Sequence, residues 1–341
     1  MDRLDIKQQI ECELCGNPSQ LKYKGFQGYQ LGMKFNIYAC DACDTSFSMP
    51  RADTSLIYDA IYSNGKNVPG YNRYWSYMNE VKTAEKPLAF LANSEEAFWG
   101  IQQALQQLVP NKTNSRILEL GSGLGYLTYA LKEEGYDSTG LDISNEAVAQ
   151  AKKSFGDFYV CRDLHDYALE KPNAYDIVIL TEVIEHIEAP VGFIESILKL
   201  LKKDGHIIIT TPDKTLIPSD IVWDTEAPPV HHWWFSETSL QYMASTLDLD
   251  ISFINFSEYY YNHPEAYKLK KRRKKIERAP ILDEKGNLRS KSDYTPDNIP
   301  EEVQQKKAAA KRKWLKLKSL FNPKTLVFDE KGKTMCAILS K

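Results

Sequence analysis

From residue 116 onward, short apolar runs alternate with stretches of helical periodicity. The runs fall at 117–120, 138–143, 158–161, 176–180 and 207–210, and the helical stretches at about 125–134, 145–154, 190–203 and 237–247. Strands that alternate with helices pair in parallel, and the helices cover both faces of the sheet. The pattern therefore predicts an α/β fold with a doubly wound, Rossmann-like sheet. Two more strand candidates, 251–256 and 334–340, are separated by polar sequence too long for an ordinary connection. Residues 263–332 are accordingly expected to form an insertion before the last strand.

The 341 residues suit roughly two domains. Apolar residues at 43% and charged residues at 26% exclude a disordered or collagen-like chain. No apolar run approaches the roughly 18 residues of a membrane span. Met1-Asp2-Arg3-Leu4-Asp5 lacks the basic and apolar regions of a signal peptide, so a cytoplasmic location is expected. The net charge of −3 hides an uneven distribution. Residues 268–278 and 306–318 each carry a net +7, which leaves −17 on the rest of the chain.

Ahead of the sheet region lie two smaller segments. Residues 1–50 hold Cys12-x-x-Cys15 and Cys40-x-x-Cys43 around a Gly- and Tyr-rich stretch. Reduced thiols in paired Cys-x-x-Cys motifs favour a metal over disulfides. Four thiolates suit a closed, tetrahedral structural zinc, and the two pairs resemble the knuckles of a zinc ribbon. Such a module is expected to have a core of its own. Cys161 and Cys336 fall in strand candidates and read as core residues. Residues 51–110 read as largely helical and aromatic-rich, including Tyr58, Tyr74 and Tyr77. Most of these aromatics are expected to pack on the sheet, with one or two facing a substrate. The sheet domain then spans 111–262 and 333–341.

The strand at 117–120 runs into Gly121-Ser122-Gly123-Leu124-Gly125 and a helix. Glycines permit a tight turn and close approach to a ligand, and the helix N-terminus offers free N–H groups. The spacing G-x-G-x-G departs from the dinucleotide fingerprint G-x-G-x-x-G. Glu119, just before the turn, receives a pyrophosphate poorly but suits a ligand with an amine and a positive charge. Asp142 ends the second strand, where an acid bonds ribose hydroxyls, and Asp163 follows the third, where an acid accepts from an adenine amino group. The fourth strand ends in Thr181-Glu182-Val183-Ile184-Glu185-His186. All lie past the carboxyl ends of strands, where open α/β sheets bind ligands.

In combination these motifs resemble the class I S-adenosylmethionine-dependent methyltransferases. The resemblance covers 116–256 and the final strand, which it places antiparallel beside the sixth. It implies that Glu119, Gly121, Gly123 and Gly125 surround the methionine part of the cofactor. Asp142 would hold the ribose, Ile143 the adenine face, and Asp163 with Leu164 the adenine edge. Thr181 would meet the amine through its carbonyl.

Glu182, Glu185 and His186 stand at i, i+3 and i+4, and share a face if a helix starts there. Two carboxylates and an imidazole suit Mg²⁺ or Mn²⁺, with Zn²⁺ as a further candidate. His231 or His232, after the fifth strand, offers another ligand. The segment is similar to one in ubiquinone-biosynthesis O-methyltransferases and in 2′-O-methyltransferases of small-RNA ends, where His231 is the better match. It also resembles sugar and natural-product methyltransferases, where no metal is implied and His186 would be the base. Trp223, Trp233 and Trp234 are candidates for touching the acceptor.

The expected function is methyl transfer to a hydroxyl of a small molecule or sugar. RNA 2′-O-methylation and a silent interaction protein are the alternatives. The basic insertion, with an amphipathic helix expected at 301–321, suits an anionic membrane or nucleic acid. Packing of its apolar stripe on the protein is the favoured reading.

Overall fold

The apolar runs become the strands of a seven-stranded sheet in a computed structural model that describes residues 8–58, 71–109, 115–216, 227–263, 266, 280–289 and 330–341. In chain order its strands are β5 (Arg116–Leu120), β6 (Asp137–Asp142), β7 (Tyr159–Cys161), β8 (Tyr175–Thr181), β9 (Leu201–Pro212), β11 (Asp250–Phe253) and β12 (Thr334–Ser340). Their spatial order is β11-β12-β9-β8-β5-β6-β7. Every pair is parallel except those of β12, which runs antiparallel to both β9 and β11. The last strand thus lies antiparallel beside the sixth, as expected, and also pairs with the fifth.

Side-chain alternation along the buried strands builds two cores. Leu118, Leu120, Val178, Leu180, Ile207 and Ile209 point to one face. Ile117, Ile177, Ile179 and Ile208 point to the other, against α3 (Glu96–Leu108) and α4 (Tyr126–Glu133). Helices α1 (Asn72–Glu80) and α2 (Pro87–Ser94) precede these. The remaining crossovers carry α5 (Asn145–Phe155), α6 (Leu164–Glu170) and α7 (Pro190–Leu200), and α8 (Glu237–Thr246) leads to β11. The expected helix at 190–203 stops at Leu200, because Leu201 already pairs with Tyr175. Asp204 follows in a left-handed conformation at φ 61°. None of the described helices is long and apolar enough to cross a membrane.

The cysteine segment forms a second, antiparallel sheet from β1 (Gln9–Glu11), β2 (Pro18–Gln27), β3 (Lys34–Cys40) and β4 (Thr45–Met49). Its fifth strand comes from far downstream. β10 (Trp233–Trp234) pairs with β4, Trp233 opposite Phe47 and Trp234 opposite Ser46. The expectation of a separate core is therefore corrected. Cys12, Tyr38, Cys40, Cys43 and Phe47 belong to the same apolar cluster as Leu118, Val178, Trp233 and Phe235. Trp233 and Trp234 are buried in this junction, and the Trp233 indole N–H donates to the Ile187 carbonyl at 2.7 Å.

Both basic runs, 268–278 and 306–318, the helix expected at 301–321, and Trp223 lie outside the described residues. Residues 280–289 are described, and they dock on the cysteine sheet. Ile281 and Leu282 N–H groups donate to the Tyr29 carbonyl at 2.9 and 3.1 Å, and Leu31 N–H donates to the Leu282 carbonyl at 2.9 Å. Both side chains are fully buried with Tyr29, Ile57, Ala227 and Val230. Leu282→Ala should lower stability by about 2–5 kcal/mol in denaturant unfolding, the usual range for a buried leucine. A loss well under 1 kcal/mol would mean that this docking contributes little.

Candidate functional site

The turn after β5 closes over β6. Gly121 and Ser122 both donate their N–H groups to the Leu141 carbonyl, at 2.8 and 3.1 Å. Gly121 has φ 67°, and a Cβ there would stand 2.6 Å from Val183 Cγ2. Gly125 begins α4 at φ 82°, and a Cβ there would strike Ala151 and Tyr159 at 2.7 Å. A Cβ on Gly123 would meet only the Gly121 carbonyl, at 4.0 Å, so this glycine faces open space.

Two buried carboxylates stand beside this turn. Asp142 accepts from Gly123 N–H and Ser144 N–H, both at 2.8 Å, one on each oxygen. The two bonds fix its orientation and leave lone pairs for hydroxyl donors. Burial raises its pKa, and those backbone donors oppose the shift. Glu119 accepts from the Thr128 hydroxyl, and burial pushes it up to about 8. Neither carboxylate has a cationic side-chain partner among the described residues. A ligand bearing positive charge supplies what the protein withholds. Ile143, 76% exposed, puts a bare apolar side chain at the same mouth, while Leu164 is buried.

Asp163 has a local task the sequence reading missed. One carboxylate oxygen caps α6 by accepting from His165 and Asp166 N–H at 2.7 and 3.3 Å. The signal was readable, because Asp before a helical run is a capping pattern. Thr181 ends β8 opposite Thr210. Over the turn, Tyr126 packs against Tyr74, Tyr77 and Phe98 with ring centroids 6.5, 5.8 and 5.9 Å away.

The segment after β8 is not the expected helix. Ile184–His186 is a single 3-10 turn, and Glu182 precedes it in a left-handed conformation at φ 54°. Glu182, Glu185 and His186 therefore share no helical face. Among the described residues, Glu185, His186 and His231 form a group whose ligand atoms all lie within 4.8 Å of one another, and Glu182 is not in it. His186 Nδ1 is 2.7 Å from the Val230 carbonyl. A carbonyl only accepts, so Nδ1 carries the proton and Nε2 keeps its lone pair. That Nε2 is 3.9 Å from Glu185 Oε1. Glu185 is fully buried; its Oε2 accepts from the Thr211 hydroxyl at 3.0 Å, and its Oε1 has no hydrogen-bond partner among the described residues.

His231 stands edge-on to His186 with ring centroids 4.5 Å apart. Burial holds the His231 pKa well below the usual histidine range, and its two neighbouring histidines act in the same direction. His232 is lowered to about 4, chiefly by burial and by Arg51. Tyr58 meets the His186 ring edge-on at 6.5 Å. Thr211 was not anticipated, although two threonines ending an otherwise apolar strand were a cue.

The four paired cysteines converge. Cys12 and Cys43 sulfurs are 3.7 Å apart, Cys15 and Cys40 sulfurs 3.5 Å, and all four lie within 4.8 Å of one another. A tetrahedron with metal–sulfur bonds of about 2.3 Å has edges of about 3.8 Å, whereas a disulfide needs about 2.05 Å. The Cys12 thiol is lowered to about 5 by a hydrogen bond from Cys43, whose own thiol is pushed up by the same bond and by burial. Four cysteine sulfurs at this spacing are compatible with a tetrahedral zinc.

Residues 94–252 match the family model described as a methyltransferase domain. The chain is similar to the ubiquinone biosynthesis O-methyltransferase of Photobacterium profundum, 34% identical over 101 residues, covering 28% of this chain and 43% of the relative. It is 29% identical to that of Aliivibrio fischeri over 106 residues, covering 30% and 45%. The chain thus spans less than half the length of the curated relatives it matches. Among solved structures, an S-adenosylmethionine-dependent methyltransferase from Archaeoglobus fulgidus aligns with a TM-score of 0.40 at 19% identity, covering 71% of this chain and 93% of that one. The plantazolicin methyltransferase BpumL, solved with S-adenosylhomocysteine, aligns at 0.42 with 15% identity, covering 84% and 95%.

Glu119 generates a pH prediction. Its folded pKa of about 8 lies above the ordinary 4.5. A group raised on folding stabilises most at acid pH, and that stability fades as pH rises. In ligand-free protein the loss attributable to Glu119 should begin above about pH 4.5 and be complete above about pH 8. Thermal unfolding across this window should show a flatter slope for Glu119→Gln than for wild type. Equal slopes would refute the assignment.

Proposed function

We propose that this chain, which matches the methyltransferase-domain family model over residues 94–252, transfers a methyl group from S-adenosylmethionine to a hydroxyl of a small molecule or sugar. The observation that carries the reading is the buried pair Glu119 and Asp142 beside the glycine turn, both without a cationic partner among the described residues. Asp142, gripped by two backbone N–H groups, suits the vicinal hydroxyls of a ribose. Glu119 suits the cationic methionine end, and exposed Ile143 suits an adenine face. Asp163 retains one carboxylate oxygen beyond its capping bonds for the adenine edge.

S-adenosylmethionine supplies a methyl on a positively charged sulfur, and the acceptor displaces that sulfur in line. The protein has to align the hydroxyl and take its proton. His186 is placed for this. Its Nδ1–H is anchored on Val230, so Nε2 presents its lone pair, and Glu185 Oε1, 3.9 Å from that Nε2, favours the imidazolium that results. His231, kept neutral by burial, adds no competing charge.

A second reading is favoured by the unpartnered Glu185 Oε1. Glu185, His186 and His231 present two nitrogens and one oxygen, a donor set that suits a divalent transition ion. When bound, such an ion would lower the pKa of an acceptor hydroxyl. Chelation followed by metal add-back separates the readings, because only the metal-assisted case loses and regains turnover. Zinc add-back alone controls for the cysteine site. The relatives named as ubiquinone biosynthesis enzymes make a phenolic hydroxyl one acceptor class to include in the trial.

Labelled cofactor offered with a panel of hydroxylated acceptors, followed by mass spectrometry, tests the activity directly. Asp142→Ala should weaken cofactor binding by about 1.5–3 kcal/mol in calorimetry, as expected for a lost charged acceptor. His186→Ala should lower turnover by about 10²-fold with cofactor affinity little changed. Wild-type turnover in His186→Ala would show that the acceptor site lies elsewhere. We further infer that Cys12, Cys15, Cys40 and Cys43 hold one structural zinc, so elemental analysis should find an equivalent that is lost in Cys12→Ser. Metal-free protein of unchanged stability would refute this.

A further inference from the structure

The histidines beside Glu185 do not arise from one element. His186 follows β8, whereas His231 and His232 sit on the segment 227–235, whose preceding residues 217–226 lie outside the described ones. What holds that segment is the cysteine sheet, from both sides of His231. Upstream, Tyr29 N–H, at the tip of the β2–β3 hairpin, donates to the Pro228 carbonyl at 3.0 Å. Downstream, Ser48 N–H of β4 donates to the His232 carbonyl at 3.0 Å, and the β4–β10 ladder follows at once. Phe47 and Trp233, opposite each other in that ladder, have ring centroids 5.7 Å apart.

The same sheet is tied down again beyond the ladder. Asp44, one residue after Cys43, accepts from the Ser236 and Ser239 hydroxyls at 3.0 and 2.7 Å through its carbonyl. Its carboxylate pairs with Lys214 at 2.6 Å. On the far side of the segment, His232 N–H donates to the Glu185 carbonyl at 2.9 Å, and the Val230 carbonyl receives His186 Nδ1. The segment is therefore a strip between two supports. One is the turn after β8, and the other is a hairpin pair whose bases are the two Cys-x-x-Cys knuckles.

We propose that the cysteine ribbon is the positioning element for the acceptor-side histidines, acting through the backbone bonds from Tyr29 and Ser48 that set His231 against His186. The proposal rests on the methyltransferase reading for the word acceptor, but the geometry it concerns is independent of any turnover. A backbone strip held at both ends by hydrogen bonds keeps its side chains in one orientation only while the donors stay fixed. The donors on this side belong to β4 and to the β2–β3 hairpin. Closure of the four cysteines would fix these elements further, beyond the core they share with the main sheet.

The test uses the full chain with isotopically labelled histidine. Ring protons of His186 and His231 should give a mutual nuclear Overhauser cross-peak in wild type, given their 4.5 Å centroid separation. Cys12→Ser should abolish the cross-peak and speed hydrogen exchange at the His232 amide. Cofactor binding should stay within about twofold of wild type, because the bonds that hold the glycine turn and Asp142 come from Leu141, Gly123 and Ser144 and not from the ribbon. Cys12 shares a core with the main sheet, so Phe47→Leu serves as a second variant that keeps the cysteines and an apolar side chain. It should weaken the cross-peak and the amide protection in the same direction. Persistence of both signals at wild-type strength in a folded variant that has lost its metal, or in Phe47→Leu, would overturn the proposal. The cross-peak needs no acceptor, so its outcome is separate from that of the methyl-transfer assay.

Discussion

Gly121 and Val183 meet where a side chain on Gly121 would leave no room. A Cβ there would lie 2.6 Å from Val183 Cγ2. This close approach joins the two turns that leave the neighbouring parallel strands β5 and β8. One turn is flanked by Glu119 and Asp142, and the other leads within three residues to Glu185 and His186. Close-packed interiors transmit such a constraint, because neither turn can shift without opening a void or a clash. The separation between the two halves of the site is thus set by strand pairing and one missing methyl group.

The proposed cofactor side and the proposed acceptor side are built differently. Glu119, the glycine turn and Asp142 come from consecutive strands and turns of one sheet, and their bonds run between near neighbours. The acceptor side is assembled from β8, the segment 227–235, the cysteine sheet and residues 280–289. Tyr29 stands at the centre of that assembly. Its N–H reaches Pro228, its carbonyl receives Ile281 and Leu282, and its ring lies among Ile57, Ala227 and Val230. A scaffold of this kind leaves the groups around the glycine turn local and regular, and puts the histidine cluster on additions to the sheet.

Electrostatics divide along the same line. Glu119, Asp142 and Glu185 are all buried, and burial raises each of their pKa values. Burying a carboxylate is costly even when it is hydrogen-bonded, so three of them near one mouth weigh against the ligand-free protein. A cationic ligand at the first two, and an imidazolium or a metal ion at the third, relieve that cost. Strain of this kind concentrates at sites that bind and react.

Much of the sheet was legible in the sequence, because strand and helix periods are local properties. The runs at 117–120, 138–143, 176–180 and 334–340 became strands with only small shifts at their ends. The carboxylates at strand ends were legible too, since a motif at the end of a strand inherits its position from the strand. Asp163 shows the limit of that rule, because a helix cap and a ligand contact look alike in sequence. Glu182 shows another, since the i, i+3, i+4 spacing implies a shared face only in a helix, and a left-handed residue followed by a 3-10 turn breaks it.

The sequence by itself determined the order of strands and helices, the glycine turn with its acidic flanks, and the two cysteine pairs. The tertiary structure decided that Trp233 pairs with Phe47, that Leu282 pairs beside Gln30, and that the cysteine segment shares the main core. It also decided that His231 faces His186. Each of these is a contact between segments far apart in the chain. Periodicity records which face of an element is apolar but carries no label for the partner that will cover it. That partner is chosen only when the folded sheet brings the candidate surfaces together.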